Sequence, residues 1–324
     1  MLGTSRLGRL ALMLAMLAGA AAPAWAEDYP VRPVTILTPF SAGSATDTAA
    51  RLIGQYLQDA LGQPFIIENR AGAGGMLAAE AVARAKPDGY TLLLTSNSTH
   101  SAAPGLFKTV PYDPIKDFTP IARIGSLPSF IAVTPDLPIN SMAELVTYAK
   151  ANPGKLSAGY GNSTGQITIG AMRKRLNIDI LPVAYRSNPM AVTDLMAGHV
   201  QIGVPDFSTG IPQVKAGKIR PLAVLTKQRD AILPDVPTLD ATVMPGYDLL
   251  AWTGMFGPAG VPPSVVDALA KPIDKALASP EVRDRFKDAG VEIYWIGPSG
   301  FADYVKTELV KWTTLIREAG IEPE

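Results

Sequence analysis

Residues 34–61 change from a short apolar run to a helical repeat. Residues 34–38 read as a buried strand. Apolar side chains then recur at positions 49, 52, 53, 56, 57, 60 and 61, the spacing of one helix face over 45–61. Between them lies Pro39-Phe40-Ser41-Ala42-Gly43-Ser44. Strand, small-residue loop and helix N-terminus, in that order, aim unpaired N–H groups and the positive end of a helix dipole at whatever lies in front. Gly43 and its small neighbours allow close approach to the backbone. Such a corner is a receptor for an anion. A helix cap by Ser44 or Thr46, and nothing more, is the plainer alternative.

The alternation of strand and helix patterns continues. Residues 65–68 and 90–95 read as strands and 76–85 as a helix, with turn signals at 69–75 and 87–89. This predicts a parallel sheet with helices on both faces. Residues 96–101, Ser-Asn-Ser-Thr-His-Ser, predict a loop at the carboxyl end of a strand, where open α/β sheets place ligands. Ser96, Asn97 and His100 are its candidate contacts, and a polar surface loop is the plainer alternative. Residues 104–120 are proline-rich and read as irregular.

Strand segments at 121–124 and 129–133 lead into a second unit. Ser141 and Glu144 form a capping box for a helix to about residue 151. A strand at 156–160 then meets Gly161-Asn162-Ser163-Thr164-Gly165-Gln166 before a helix at 167–176. This is a second corner with the chemistry of the first and different letters. Further strands are predicted at 178–185, 200–204 and 219–225, and helices at 188–197 and from Asp206 to about 216. A strand at 251–257 returns the chain. Helices at 263–278, with a kink expected at Pro272, at 280–289 and at 298–319, and a strand at 291–296, complete it. The expected architecture is α/β, with two lobes each built on a mainly parallel sheet. Lobe 1 takes residues 27–125 and 249–324, lobe 2 takes 126–248, and a hinge lies near 121–134 and 247–258. The two corners then face one cleft.

Composition narrows the setting. Of 324 residues, 47% are hydrophobic and 18% charged, which is globular, and the zero net charge speaks against nucleic acid as a partner. Residues 1–26 differ from the rest. Arg6 and Arg9 precede a short apolar stretch, and Ala24-Trp25-Ala26 has the form of a cleavage site. A signal peptide cut after Ala26 is expected, with the mature chain in the periplasm. There is no cysteine, hence no disulfide framework and no lipidated residue at the cut. A monomer without a membrane anchor is expected.

Catalytic patterns are missing. Neither of the two histidines sits in metal-ligand spacing, and no nucleophile elbow, Walker A loop or dinucleotide fingerprint occurs. Ser41, Asp47 and His100 can be written as a hydrolase triad, but nothing in their spacing demands it. The expectation is no enzyme, no metal and no cofactor.

Several blocks carry a resemblance. Phe40-Ser41-Ala42-Gly43-Ser44-Ala45-Thr46-Asp47 resembles the P-F-x-A-G-G-x-x-D segment of the Bug, or TctC-like, family of periplasmic solute-binding proteins of tripartite tricarboxylate transporters. Gly62-Gln63-Pro64 with Glu68-Asn69-Arg70-Ala71-Gly72-Ala73-Gly74-Gly75 is similar to its G-Q-P…E-N-R-x-G-A-G-G. So are 87–92, 111–118, 233–238 and 258–260, in the family's order along the whole mature chain. The resemblance implies a two-lobed type II periplasmic-binding fold that closes on a small carboxylate and delivers it to permease subunits. It implies ligand contacts from Phe40, Ser41, Ala42, Gly43, Ser44 and Asp47 at the first corner. Gly161, Asn162, Ser163 and Thr164 are implied at the second, and Asp206 from the family's F-D-N segment. The chain departs from the family at Ser44, at Tyr185-Arg186-Ser187-Asn188 in place of Y-K-G-G, and at residues 205–209. Arg186 is a candidate for a second carboxylate, with a surface or inter-lobe salt bridge as the alternative. A ligand-presenting role for a sensor kinase ectodomain is the second reading, and a hydrolase the third.

Overall fold

The computed structural model describes residues 29–324. The expected signal peptide and its cut after Ala26 lie outside the described residues. Two sheets carry the fold. The first has six strands in the order β11 (Glu292–Ile296), β4 (Phe118–Leu127), β10 (Ala251–Pro258), β3 (Thr91–Ser96), β1 (Val34–Thr38), β2 (Phe65–Asn69). The second has five, in the order β7 (Ile180–Ala184), β6 (Leu156–Tyr160), β8 (Ile202–Gly203), β5 (Phe130–Val133), β9 (Arg220–Val224).

Side-chain alternation along the strands divides each sheet's two faces. In β3, Leu92 and Leu94 join one core with Ile53 and Leu57 of helix α1 (Ala45–Leu61). Leu93 joins the opposite core with Met76 and Val82 of helix α2 (Met76–Ala83), which the helices α3 (Ala103–Leu106) and α4 (Met142–Ala151) follow along the chain. In β5, Ile131 and Val133 face one core of the second sheet, and Phe130 and Ala132 the other. The central strands of each sheet are therefore buried on both faces, as helices on both sides require.

Both sheets are mixed, which corrects the expectation of mainly parallel sheets. β1 pairs in parallel with β2 and β3, but β10 is antiparallel to β3 and β4, and β11 is antiparallel to β4. In the second sheet β6 is parallel to β7 and β8, and β5 is antiparallel to β8 and β9. The reason is the path of the chain. β4 leaves the first sheet and β10 re-enters it, so neighbours of opposite direction are forced. The chain crosses between sheets after Leu127 and again before Ala251.

The final helix, Pro298–Glu318, ties the two sheets. Its first turns bury Phe301 and Val305 in a core of the first sheet. Its last turns bury Trp312 and Ile316 in a core that contains Ile131, Ala158 and Ile169 of the second. At 21 residues it spans about 30 Å, enough to reach from one sheet to the other. The helix Pro263–Ala278 runs through Pro272 as one element.

Candidate functional site

The first corner is held from behind. Gly43 has φ +79°, a left-handed turn that other residues adopt at a cost, and it brings Ser44 to the cap of α1. Ser44 Oγ accepts from the Asp47 N–H at 3.3 Å. Asp47 then reaches back along the loop. Its Oδ2 accepts from the Gly43 N–H at 2.9 Å and from Arg51 Nε at 3.0 Å, and its Oδ1 accepts from Asn69 Nδ2 at 2.9 Å. Asn69 lies beside Thr38 in the β1–β2 register and also donates to the Phe40 carbonyl at 2.9 Å. Burial opposes ionisation of Asp47, but the bonds from Arg51, Gly43 and Asn69 outweigh it and hold the carboxyl below its usual range.

With the N–H groups of Gly43 and Asp47 occupied in this way, those of the two residues between Ser44 and Asp47 are left over. Ala45 and Thr46 open the helix and have no carbonyl four residues back to accept their N–H groups.

The second corner is built from three connections of the second sheet. Asn162 caps the helix α5 (Ser163–Leu176), with Oδ1 accepting from the Gly165 N–H at 3.0 Å. The helix thus starts at Ser163, where the sequence pattern placed a loop up to 166. Here too the second helical residue, Thr164, lacks an intrahelical acceptor for its N–H. Gly161 is wedged against the start of the helix α6 (Asn188–Met196). A Cβ on it would lie 2.1 Å from the Ser187 carbonyl carbon and 2.2 Å from the Asn188 nitrogen. The Asn188 side chain bridges what remains. Its Oδ1 accepts from the Gly161 N–H at 3.0 Å, and its Nδ2 donates to Asp206 Oδ2 at 2.7 Å. Asp206 caps the helix α7 (Phe207–Lys215), with Oδ1 accepting from the N–H of Thr209 at 3.0 Å and from its hydroxyl at 2.9 Å. Burial raises the Asp206 carboxyl pKa, against the opposing pull of the bonds from Asn188 and Thr209.

The two corners meet. Ser41 Oγ and Ser187 Oγ lie 2.7 Å apart. Asn97 Nδ2 donates to Ser163 Oγ at 2.9 Å, and Ser98 Oγ lies 3.0 Å from the same oxygen. Between them is a cavity of about 20 Å³ lined by Ala45, Thr46, Ser98, Thr164, Asn188 and Asp206 among others. Since a single water needs roughly 10–15 Å³ by this measure, the crevice as it stands has room for about one water.

Of the residues expected at the site, Phe40, Ser44, Ser96, Asn97, Gly161, Asn162, Thr164 and Asp206 line this crevice. Ser41 and Ser163 form its seam. Ala42 and Gly43 are exposed and do not line it. Asp47 is 2% exposed and stands behind the loop.

His100 is a correction. Residues 98–102 form a helical turn instead of an open loop, and His100 lies on its inner side, fully buried. Its ring stacks on Phe256 with centroids 4.0 Å apart, and Nδ1 lies 2.9 Å from Thr99 Oγ1. Burial pushes its pKa down to about 3. Arg186 is exposed and lines a separate pocket beside the crevice.

Ala45, Thr46, Ser98, Ser129 and Asn188 line the crevice and were not singled out from the sequence. The first two contribute main chain, which side-chain identity does not announce. Asn188 read as a simple helix-start residue because Pro189 follows it.

A family model described as the tripartite tricarboxylate transporter family receptor, TctC, matches residues 49–321. The chain belongs to this family. The receptor is similar to three solved structures over nearly its whole described length. One is an R. palustris protein with adipate, at 32% identity and TM-score 0.89, covering 91% of this chain and 100% of that one. Another is the periplasmic binding protein BugD, at 33% and 0.86, covering 91% and 100%. The third is MatC from Rhodopseudomonas palustris with bound malate, at 33% and 0.84, covering 89% and 100%. The receptor is thus a periplasmic solute-binding protein of the TctC and Bug type, with their two-domain α/β fold, and members of this family are solute-binding proteins, not enzymes.

Proposed function

We propose that the receptor captures a small organic carboxylate between its two sheets and delivers it to the membrane permease subunits of a tripartite tricarboxylate transporter. One observation carries this reading. Two helix N-termini from different sheets meet at one crevice, and Ala45, Thr46 and Thr164, whose N–H groups have neither an intrahelical acceptor nor a capping side chain, all line it. Anions at such termini gain roughly 0.3–2 kcal/mol each, more where water is excluded. The solved relatives with adipate and malate support the same ligand class.

Closure follows from the same contacts. The lobes, residues 27–125 with 249–324 and residues 126–248, turn about the crossings near 127–130 and 249–251. Opening breaks the Ser41–Ser187 and Asn97–Ser163 bonds. A ligand held by both corners drives closure by its higher affinity for the closed form. The mature chain begins after Ala26 and acts as a monomer.

The test is calorimetry and thermal melting of the mature protein with malate, adipate, succinate and acetate, each beside its uncharged amide. The expected result is binding by at least one acid, with a raised melting temperature, and none by its amide. Binding of neither, or of both equally, would defeat the reading.

A further inference from the structure

The closed crevice has a neighbour. A second pocket of about 180 Å³ shares Phe40, Ser98, Gly161 and Asn162 with it, so the two adjoin at those residues. An apolar cavity of about 150 Å³ accommodates a benzene molecule. The walls suit such a body. Phe40, Phe107, Tyr160 and Tyr185 all line the pocket. Ala73 and Gly74, of the glycine-rich turn after β2, line it as well, and a Cβ on Gly74 would come within 2.7 Å of the Phe107 ring. Arg186 lines the same pocket. Among the described residues, no carboxylate forms an ion pair with Arg186, although Glu324 lines the pocket too.

We infer that the ligand extends from the crevice into this side pocket, and that it is a dicarboxylate with a ring-sized body whose far carboxylate is met by Arg186. The inference rests on the proposed function and refines it. The near carboxylate occupies the crevice between the helix N-termini. The body lies among Phe40, Phe107, Tyr160 and Tyr185, where ring faces offer stacking and lose water. The far carboxylate receives the planar guanidinium, which matches a carboxylate with parallel N–H donors. Short acids such as malate place one carboxylate at the helix N-termini when the sheets part and lack the body that would reach Arg186. Monocarboxylates of the same ring size lose the guanidinium contact.

Calorimetry with four probes separates the parts. The probes are acetate, succinate, benzoate and terephthalate (benzene-1,4-dicarboxylate). The wild type is expected to bind terephthalate at least about tenfold more tightly than succinate, with benzoate between them. Arg186→Gln is expected to bring terephthalate down to benzoate and leave succinate unchanged. Ala184→Phe, an exposed position lining the same pocket, is expected to weaken both aromatic acids and spare succinate. Unchanged melting temperatures of the two variants establish that they fold. If succinate binds and terephthalate binds no better, or if Arg186→Gln leaves their ratio intact, the side-pocket inference is overturned while the carboxylate reading stands. If no acid binds, both fall.

Discussion

Asn188 donates to Asp206 across 2.7 Å, and through the other end of the same amide accepts from Gly161. The amide thus fixes three connections of the second sheet with one side chain, and its polarity has one sense only. Nδ2 must face the carboxylate and Oδ1 the N–H. Asp206→Asn turns one end of this chain into donor against donor. It is expected to cost about 1–3 kcal/mol, the usual penalty for an unsatisfied buried group, and to weaken carboxylate binding. Asn188→Asp added to it restores acceptor and donor in reversed order. A double-mutant cycle by chemical denaturation checks this, and a coupling energy near zero would contradict it.

Gly161 is required by space, since its φ is not in the left-handed region and a Cβ would meet the Ser187–Asn188 backbone. Gly161→Ala is expected to push the second corner away from α6 and break the Gly161–Asn188 bond. A loss of about 1–3 kcal/mol, the range for overpacking, is expected, with weaker ligand binding. Melting curves and calorimetry on the variant measure both.

Asp47 positions the first corner and does not touch the crevice. Its bond to Gly43 and the Asn69 amide hold residues 40–44 in place. The Arg51 partner is about half exposed, so its share is small. Asp47→Ala is expected to destabilise by about 1–2 kcal/mol and to reduce affinity through a mobile loop. Arg51→Ala is expected to change stability by under about 1 kcal/mol. Comparable losses from both would contradict this ordering.

His100 gives the receptor an acid-sensitive core. Its folded pKa is pushed down to about 3 from an ordinary 6.5, so the unfolded chain binds the proton first as the medium is acidified. The stability tied to neutral His100 is complete above pH 6.5 and is lost as pH falls from there towards 3, with a slope of up to about 1.4 kcal/mol per pH unit. His100→Phe keeps the stack on Phe256 and removes the titration. Denaturation between pH 7 and 5 is expected to show a shallower fall in the variant than in the wild type.

The element order was legible because hydrophobic spacing changes period at each boundary. Residues 45–61 carry a helical stripe ended by Gly62, whose left-handed turn closes α1. Both corners were legible as strand, small loop and helix start. Strand direction was not, since nothing local in residues 118–127 or 251–258 says that one strand leaves as the other returns. The polar run 96–101 misled for a related reason. Asn97 and Ser98 face the crevice, but a helical turn carries His100 to the other side, where Phe118 and Phe256 from distant strands cover it. Asp47 was expected to touch ligand by resemblance. The partners that hold it, Asn69 and Gly43, come together only through the β1–β2 register and the turn at Gly43.

One N–H of the grip can be removed by itself. Ala45 is the first residue of α1, and Ser44 before it is extended at ψ 159°, so proline fits there with the helix intact. Ala45→Pro removes one main-chain donor from the crevice and little else. Calorimetric titration of wild type and Ala45→Pro with the tightest-binding acid of the panel tests the account most directly. The account expects affinity to fall about tenfold or more at an unchanged melting temperature. Equal affinity in the two proteins would contradict it.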